Sequence, residues 1–329
     1  MIKPSQITEG FLRPLRAEKD LSQVADLIEL CFKGSIDEDG TDYIRYLRNL
    51  ARTAKDGYWG LGSIQRRYAA IQGFVYEVDG KIVGNLSMLP FHKNGDFVYL
   101  IANVAVHPDY RRLGIALNLT TEALKYAKSK SANSTWLQVR DDNPPAFLLY
   151  KKMGFYEKTR RTTWTLKPHP ETLYPYQSDV RMVSRKASTW SQEKEWLLKN
   201  YDDNVRWNLG LKTERFKPGF IAWLDKLINE RMILQYAGYL DHQWLGTLTL
   251  EKTNLFADNL WISADPIWED QVIRAGVPFL QRKSGYKRPM TVNFPENRAV
   301  SAFEFLGFEK NHTLIWMQAS THIPVIVQS

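Results

Sequence analysis

The sequence predicts an α+β protein with a mixed central sheet, in which one fold is used twice. Three observations carry that reading. In each half a short polar turn joins two alternating apolar runs: Asp79-Gly80-Lys81-Ile82-Val83-Gly84, then Asp241-His242-Gln243-Trp244-Leu245-Gly246. This is a hairpin signal. Further along, Ala146-Phe147-Leu148-Leu149-Tyr150-Lys151-Lys152-Met153-Gly154-Phe155 matches Ala299-Val300-Ser301-Ala302-Phe303-Glu304-Phe305-Leu306-Gly307-Phe308. The first pair of anchors is offset by 162 positions and the second by 153, so the second copy lacks nine residues between them. Two anchors in the same order favour duplication over chance. Between the copies, Pro168, Pro170 and Pro175 mark a linker. The expected domains are residues 1–168 and 169–329.

The first copy reads in order as follows. Residues 11–16 form a short strand. Residues 21–32 are an amphipathic helix, with Leu21, Val24, Leu27, Ile28 and Cys31 on one face. A second helix covers 43–54. Strands at 74–78 and 82–90 make the hairpin, and 98–106 is a long apolar strand. A helix at 115–129, a strand at 135–139, a helix at 145–153 and a strand at 161–166 follow. Pro145 near a helix start and Gly154 at its end obey the usual asymmetry.

Composition narrows the function classes. The 329 residues are 44% hydrophobic and 13% aromatic, which excludes disorder as the main state. One cysteine, Cys31, allows no internal disulfide and no Cys-based zinc site. It reads as a small buried hydrophobe. The six histidines show no i, i+3 or i, i+4 pair, so no metal is expected. No export signal or spanning apolar run is seen, and the expected location is cytoplasmic. Residues 1–170 hold 25 Lys+Arg against 18 Asp+Glu, and the remainder 19 against 18. That excess is too diffuse for a nucleic-acid stripe. A small polyanion held by the first half fits better.

The expected site follows the strand Val104-Ala105-Val106. After His107-Pro108-Asp109-Tyr110 come Arg111-Arg112-Leu113-Gly114-Ile115-Ala116, opening a helix. Small residues there let successive N–H groups point at one anion, aided by the helix dipole. Taken alone, the run reads better as an ordinary tight strand-to-helix turn.

Context decides between them. Arg111, Gly114 and Ala116 match the Gln/Arg-x-x-Gly-x-Gly/Ala pyrophosphate motif of the GNAT superfamily of N-acetyltransferases. Asn143, Ala146, Tyr150, Gly154 and Phe155 fill its second motif, Asn-x-x-Ala-x-x-x-Tyr-x-x-x-Gly-Phe. Most of residues 10–166 resembles that family, so both copies are expected to be GNAT folds. The resemblance implies acetyl-CoA, or another acyl-CoA, as co-substrate and an amine, on a small molecule or a protein, as acceptor. It implies that the strand at Val104, Ala105 and Val106 splays from its neighbour and takes the pantetheine on its open edge. Backbone amides of Arg112, Leu113, Gly114, Ile115 and Ala116 would hold the pyrophosphate, and one near Val106 would polarise the thioester carbonyl. Tyr150 stands at the general-acid position, although a tyrosine on an apolar helix face is often plain core. Many relatives place a Glu before the first motif. Here Ile101-Ala102-Asn103 has none, so Asn103 is expected to position a water rather than act as base. The acidic group Asp37-Glu38-Asp39 with Asp42 would attract a cationic amine, but reads better as a solvated loop before a helix. His107 reads as a surface residue.

The second copy has Asp265-Pro266-Ile267-Trp268-Glu269-Asp270 where the phosphate loop should be, Phe303 for Tyr150 and Glu296 for Asn143. It is expected to keep the fold without the cofactor site. Completing the acceptor pocket, forming a homodimer surface or supporting the first copy are the roles open to it. The activity read from the sequence is N-acyl transfer by direct attack of the amine. The alternatives are a non-catalytic acyl-CoA sensor or scaffold, and aminoacyl transfer from charged tRNA.

Overall fold

A computed structural model describes residues 10–34, 38–55, 71–168, 178–219, 232–285 and 287–321. The chain packs as two compact units, Met1–Lys158 with Trp316–Ser329, and Thr159–Ile315.

In the first unit the elements are β1 (Phe11–Pro14), α1 (Ala17–Phe32), α2 (Glu38–Lys55), β2 (Gln72–Val78), β3 (Lys81–Lys93), β4 (Asp96–Val106), α3 (Ile115–Ser129), β5 (Ser134–Arg140) and α4 (Pro144–Lys152). The strands run β1-β2-β3-β4-β5. All neighbours are antiparallel except β4 and β5. Asp79 (φ 49°) and Gly80 (φ 75°) turn the β2–β3 hairpin, the pair of positive φ values that matches strand twist. One face of α1 buries Leu21, Val24, Leu27 and Ile28 against Ile44, Leu47 and Leu50 of α2. The Arg13 guanidinium ties β1 to this layer, donating to Asp20 at 2.6 and 2.9 Å and to Glu77 at 2.8 Å.

The strand β6 (Tyr156–Leu166) begins in the first unit and ends in the second. The second unit continues with β7 (Arg181–Ser184), α5 (Trp190–Asn200), α6 (Arg206–Leu209), β8 (Ile233–Leu240), β9 (Gln243–Glu251), β10 (Asp258–Ala264), α7 (Glu269–Ser284), β11 (Met290–Pro295), α8 (Val300–Phe305) and β12 (Glu309–Ser320). From Trp316 onward β12 packs in the first unit. Each unit therefore includes a strand segment that a linear division at residue 168 gives to the other half. The 167–179 segment lies partly outside the described residues.

The internal repeat is visible in register. Gly84 pairs with Val106 and Gly246 with Ala264. Both hairpins slip by one residue at matching places, Tyr76/Glu77 and Gly238/Tyr239. Several described tryptophans of the second unit serve packing. Trp164 stacks on Phe303 at 5.4 Å, Trp196 on Trp244 at 4.7 Å, and Tyr201 meets Trp261 edge-on at 5.0 Å.

Candidate functional site

The site grows from the end of β4. This strand pairs with β5 only from Val98 to Ile101, opposite Ser134 to Leu137. Both strands run further, to Val106 and Arg140, so they diverge and leave the last residues of β4 unpaired on that side. Toward β3 the register also breaks. Ala102 faces Ser87 and Ala105 faces Asn85, so Asn103 and Val104 together oppose Leu86. This is a β-bulge, a device that re-aims backbone groups beside sites. Asn103 adopts φ 52°, and its carbonyl accepts the Asn85 amide at 2.9 Å.

Beyond Val106 the chain forms a single tight turn, Pro108–Tyr110, with the His107 Nδ1 accepting the Asp109 N–H at 3.3 Å. Arg112 (φ 63°) and Gly114 (φ 74°) both take the left-handed conformation before α3 begins. Among the described residues no acceptor bonds the amides of Gly114, Ile115 and Ala116. Three free donors at a helix N-terminus suit an anion. A close approach seats them: a Cβ on Gly84 of β3 would lie 2.7 Å from Ile115 Cγ2 and 3.1 Å from Leu119 Cδ1.

Several expected residues are engaged within the protein. Arg111 Nε donates to the Val106 carbonyl at 3.2 Å, and Cys31 Sγ donates to the same oxygen at 3.3 Å. Cys31, expected as a small buried hydrophobe, is partly buried and packs against the α1–α2 core. Partial burial still raises its thiol pKa, opposed by the neighbouring Arg111. Ala105 is buried in the sheet against Asn85. Asn143 caps α4, its Oδ1 accepting the Ala146 N–H at 3.3 Å, so that amide is spent locally. Tyr150 is 5% exposed and meets Phe155 edge-on. No described residue bonds its hydroxyl, and burial alone raises its pKa.

Two cavities flank α1. One of about 410 Å³ is lined by Asp26, Lys81, His107 and Tyr110, and one of about 280 Å³ by Glu29, Arg45, Arg48 and Arg52. Neither is lined by the 112–116 loop or by Tyr150. Of the acidic group, Asp37 lies outside the described residues, as do the side chains of Glu38 and Asp39. Asp42 pairs with Arg45 at 2.5 Å on the exposed face of α2, as a solvated segment does.

Three residues that the sequence reading passed over sit under the bulge. Burial raises the pKa of the Tyr43 hydroxyl on α2, opposed by the polar side chains of Ser87 and Asn103. Asn85 is wholly buried. The signal was present: Asn85 and Ser87, two apart, put polar groups on one face of an otherwise apolar strand.

The second unit fills the corresponding space with its own atoms. The β9–β10 register runs unbroken from Asn259 to Ala264, without a bulge. Strand β10 pairs with β11 only at Asp258 and Asn259. Beyond that, Ile262 N–H donates to the Tyr201 hydroxyl at 3.4 Å, and the Asn200 side chain donates to the Ile262 carbonyl at 3.0 Å. Arg161 clamps this plug, donating to the Asn200 carbonyl at 2.5 Å and to Asn293 at 2.7 and 2.8 Å. At the start of α7, Glu269 pairs with Arg298, and Asp270 accepts from Ser301. Two carboxylates therefore occupy the helix terminus that in the first unit presents free amides.

Among the described residues no helix is long and apolar enough to cross a membrane, and no three metal-ligating side chains gather. Residues 38–155 match the model of the acetyltransferase (GNAT) family. The chain is 41% identical over 97 residues to an N-alpha-acetyltransferase of Sulfurisphaera tokodaii, covering 26% of this chain and 56% of that protein. It is 36% identical over 62 residues to the [ribosomal protein bS18]-alanine N-acetyltransferase of Escherichia coli, covering 19% and 42%. The chain thus spans about half the length of these relatives. Among solved structures, a tandem GNAT protein from the clavulanic acid biosynthesis pathway aligns over 96% of this chain and 99% of its own, with TM-score 0.51 and 17% identity. A GCN5-related N-acetyltransferase from Sphaerobacter thermophilus aligns over 95% and 96%, with TM-score 0.57 and 13% identity. The fold is two tandem GNAT folds.

Proposed function

We propose, from the premise that residues 38–155 are an acetyltransferase (GNAT) family domain, that this chain transfers an acetyl group from acetyl-CoA to an amine. One observation carries the reading: the open end of β4 leads into a loop with three unengaged amides at the α3 N-terminus. The first copy, residues 1–168, would hold the site, and the second copy, 169–329, would lack one.

The residues divide the work as follows. The amides of Gly114, Ile115 and Ala116, beside Arg112, would hold the pyrophosphate. The free edge at Val104 would align the pantetheine arm, and an N–H near Val106 would polarise the thioester carbonyl. The acceptor nitrogen attacks that carbonyl directly, since no nucleophile–base pair is seen among the described residues for a covalent intermediate. Tyr150, kept neutral by burial, gives its proton to the departing thiolate sulfur. Asn103 has no basic group, so proton removal from the ammonium passes to a water it orients.

The test has two stages. Acetyl-CoA at ~100 times its dissociation constant should stabilise the first unit by about 2.7 kcal/mol; no thermal shift refutes the donor assignment. Thiol release is then followed with a panel of amines: alanine-terminated and lysine-containing peptides, a polyamine and an amino sugar. Release with one class identifies the acceptor, and release with none supports the sensor reading instead. Tyr150→Phe should lower turnover without changing the thermal shift, and unchanged turnover would return Tyr150 to the core.

A further inference from the structure

We infer, on the acyl-transfer reading above, that the last turn of α1 decides whether the β4 edge can take a donor, and that its small side chain, Cys31, forms one wall of the channel for the acetyl-CoA arm.

The His107 N–H donates to the Val83 carbonyl at 2.9 Å, so by alternation the Val106 N–H and carbonyl point away from β3. They face the side from which β5 has already parted. A carbonyl on such an edge needs a donor. Cys31 Sγ supplies one at 3.3 Å, beside Arg111 Nε at 3.2 Å. The end of α1 thus lies against the strand edge along which the pantetheine arm is proposed to run.

The second unit shows the same helix end in a closed form. One row of paired residues crosses each unit: Leu12, Tyr76, Gly84 and Val106 in the first, Met182, Gly238, Gly246 and Ala264 in the second. Counted from the first member of each row, Cys31 and Tyr201 are both nineteen residues on. Helix α1 ends at Phe32 and α5 at Asn200. The Asp265 N–H donates to the Leu245 carbonyl at 3.0 Å, as His107 does to Val83, so the Ala264 groups, and with them those of Ile262, face away from β9. There the wholly buried Tyr201 accepts the Ile262 N–H and Asn200 donates to its carbonyl. An arm pairing there as an added strand would find both backbone groups taken. At the matching place in the first unit stands a side chain of two heavy atoms, which caps one carbonyl.

Cys31→Tyr in the full chain restores the bulk of the second copy at that place. Calorimetry should show its acetyl-CoA affinity falling at least about a hundredfold. Leu30→Tyr adds equal bulk one residue away, at an exposed position lining the α1–β3 cavity, and should bind within about twofold of wild type. Should Cys31→Tyr not fold, the wild-type chain decides: Cys31 is its one cysteine, so maleimide labelling reports on it alone. Saturating acetyl-CoA should slow that labelling about tenfold. Wild-type affinity in folded Cys31→Tyr, an equal loss in Leu30→Tyr, or a labelling rate that acetyl-CoA does not change would each overturn the inference while leaving the donor assignment standing. If wild type itself binds no acetyl-CoA, the acyl-transfer reading falls and this inference with it.

Discussion

Gly84→Ala examines how the phosphate loop is seated. The new Cβ would lie 2.7 Å from Ile115 Cγ2 and 3.1 Å from both Leu119 Cδ1 and Tyr76 Cβ. Ile115 is the first residue of α3 and is buried, and its Cγ2 sits on the β-carbon, so it has little freedom to swing away. Such overpacking costs ~1–3 kcal/mol. Replacing a strand glycine by alanine returns ~0.5–1 kcal/mol of chain entropy. The net loss is about 1 kcal/mol, a fall in Tm of about 2–4 °C. The functional effect should exceed the stability effect, because the displaced atoms belong to the turn that presents the amides. Acetyl-CoA affinity by calorimetry should weaken about tenfold, or ~1.4 kcal/mol. Gly114→Ala is the companion variant: open space surrounds its Cβ, but φ is 74°, so strain alone acts there. A Gly84→Ala protein as stable as wild type, with unchanged acetyl-CoA affinity, would refute the close-packing account.

Three further outcomes are expected. A general acid must be protonated to act, and burial lifts the Tyr150 hydroxyl above its ordinary pKa of ~10; kcat should therefore not fall as pH rises from 7 to 9, and a descending limb in that range would remove Tyr150 from the role. Titration calorimetry should count one acetyl-CoA per chain, since Asn200 and Tyr201 already bond Ile262; a count of two would contradict the filled edge. Arg185 and Glu193 form a buried pair at 2.8 Å, 6% and 2% exposed; Arg185→Met removes this pair together with the Arg185 bond to the Phe216 carbonyl at 2.8 Å and should cost about 3 kcal/mol in urea unfolding, and a loss below ~1 kcal/mol would argue that the pair is dispensable.

Much of the fold was legible because it rests on local chemistry. The Asp79-Gly80 turn, the α3 helix at 115–129 and the Pro144/Pro145 start of α4 are set by residue type and periodicity. Other bounds moved because tertiary contacts decide them. Helix α1 begins at Ala17 rather than 21, where the Asp20 carboxylate accepts the Arg16 N–H and the Arg13 guanidinium. Helix α2 begins at Glu38 rather than 43. The candidate site was legible where it is a motif, as at Gly114. It was opaque where it is a meeting of distant residues. Nothing local links Tyr43 to Asn103, and Asn200 and Tyr201 lie far along the chain from Ile262, whose edge they fill. Arg111 shows a contact the motif does not announce: its guanidinium donates to the Val106 carbonyl.

The last strand segment has a consequence for synthesis. The first unit counts residues 316 onward among its own, with the Tyr156 hydroxyl bonding Gln318 at 2.9 Å and Thr321 bonding the Ala132 carbonyl. A nascent chain that has just passed residue 168 thus lacks a piece of the unit it has nearly finished. That unit must wait, one strand segment short, until residues beyond 316 leave the ribosome. A gene truncated after the first copy would express the whole phosphate loop without the strand segment that completes its sheet.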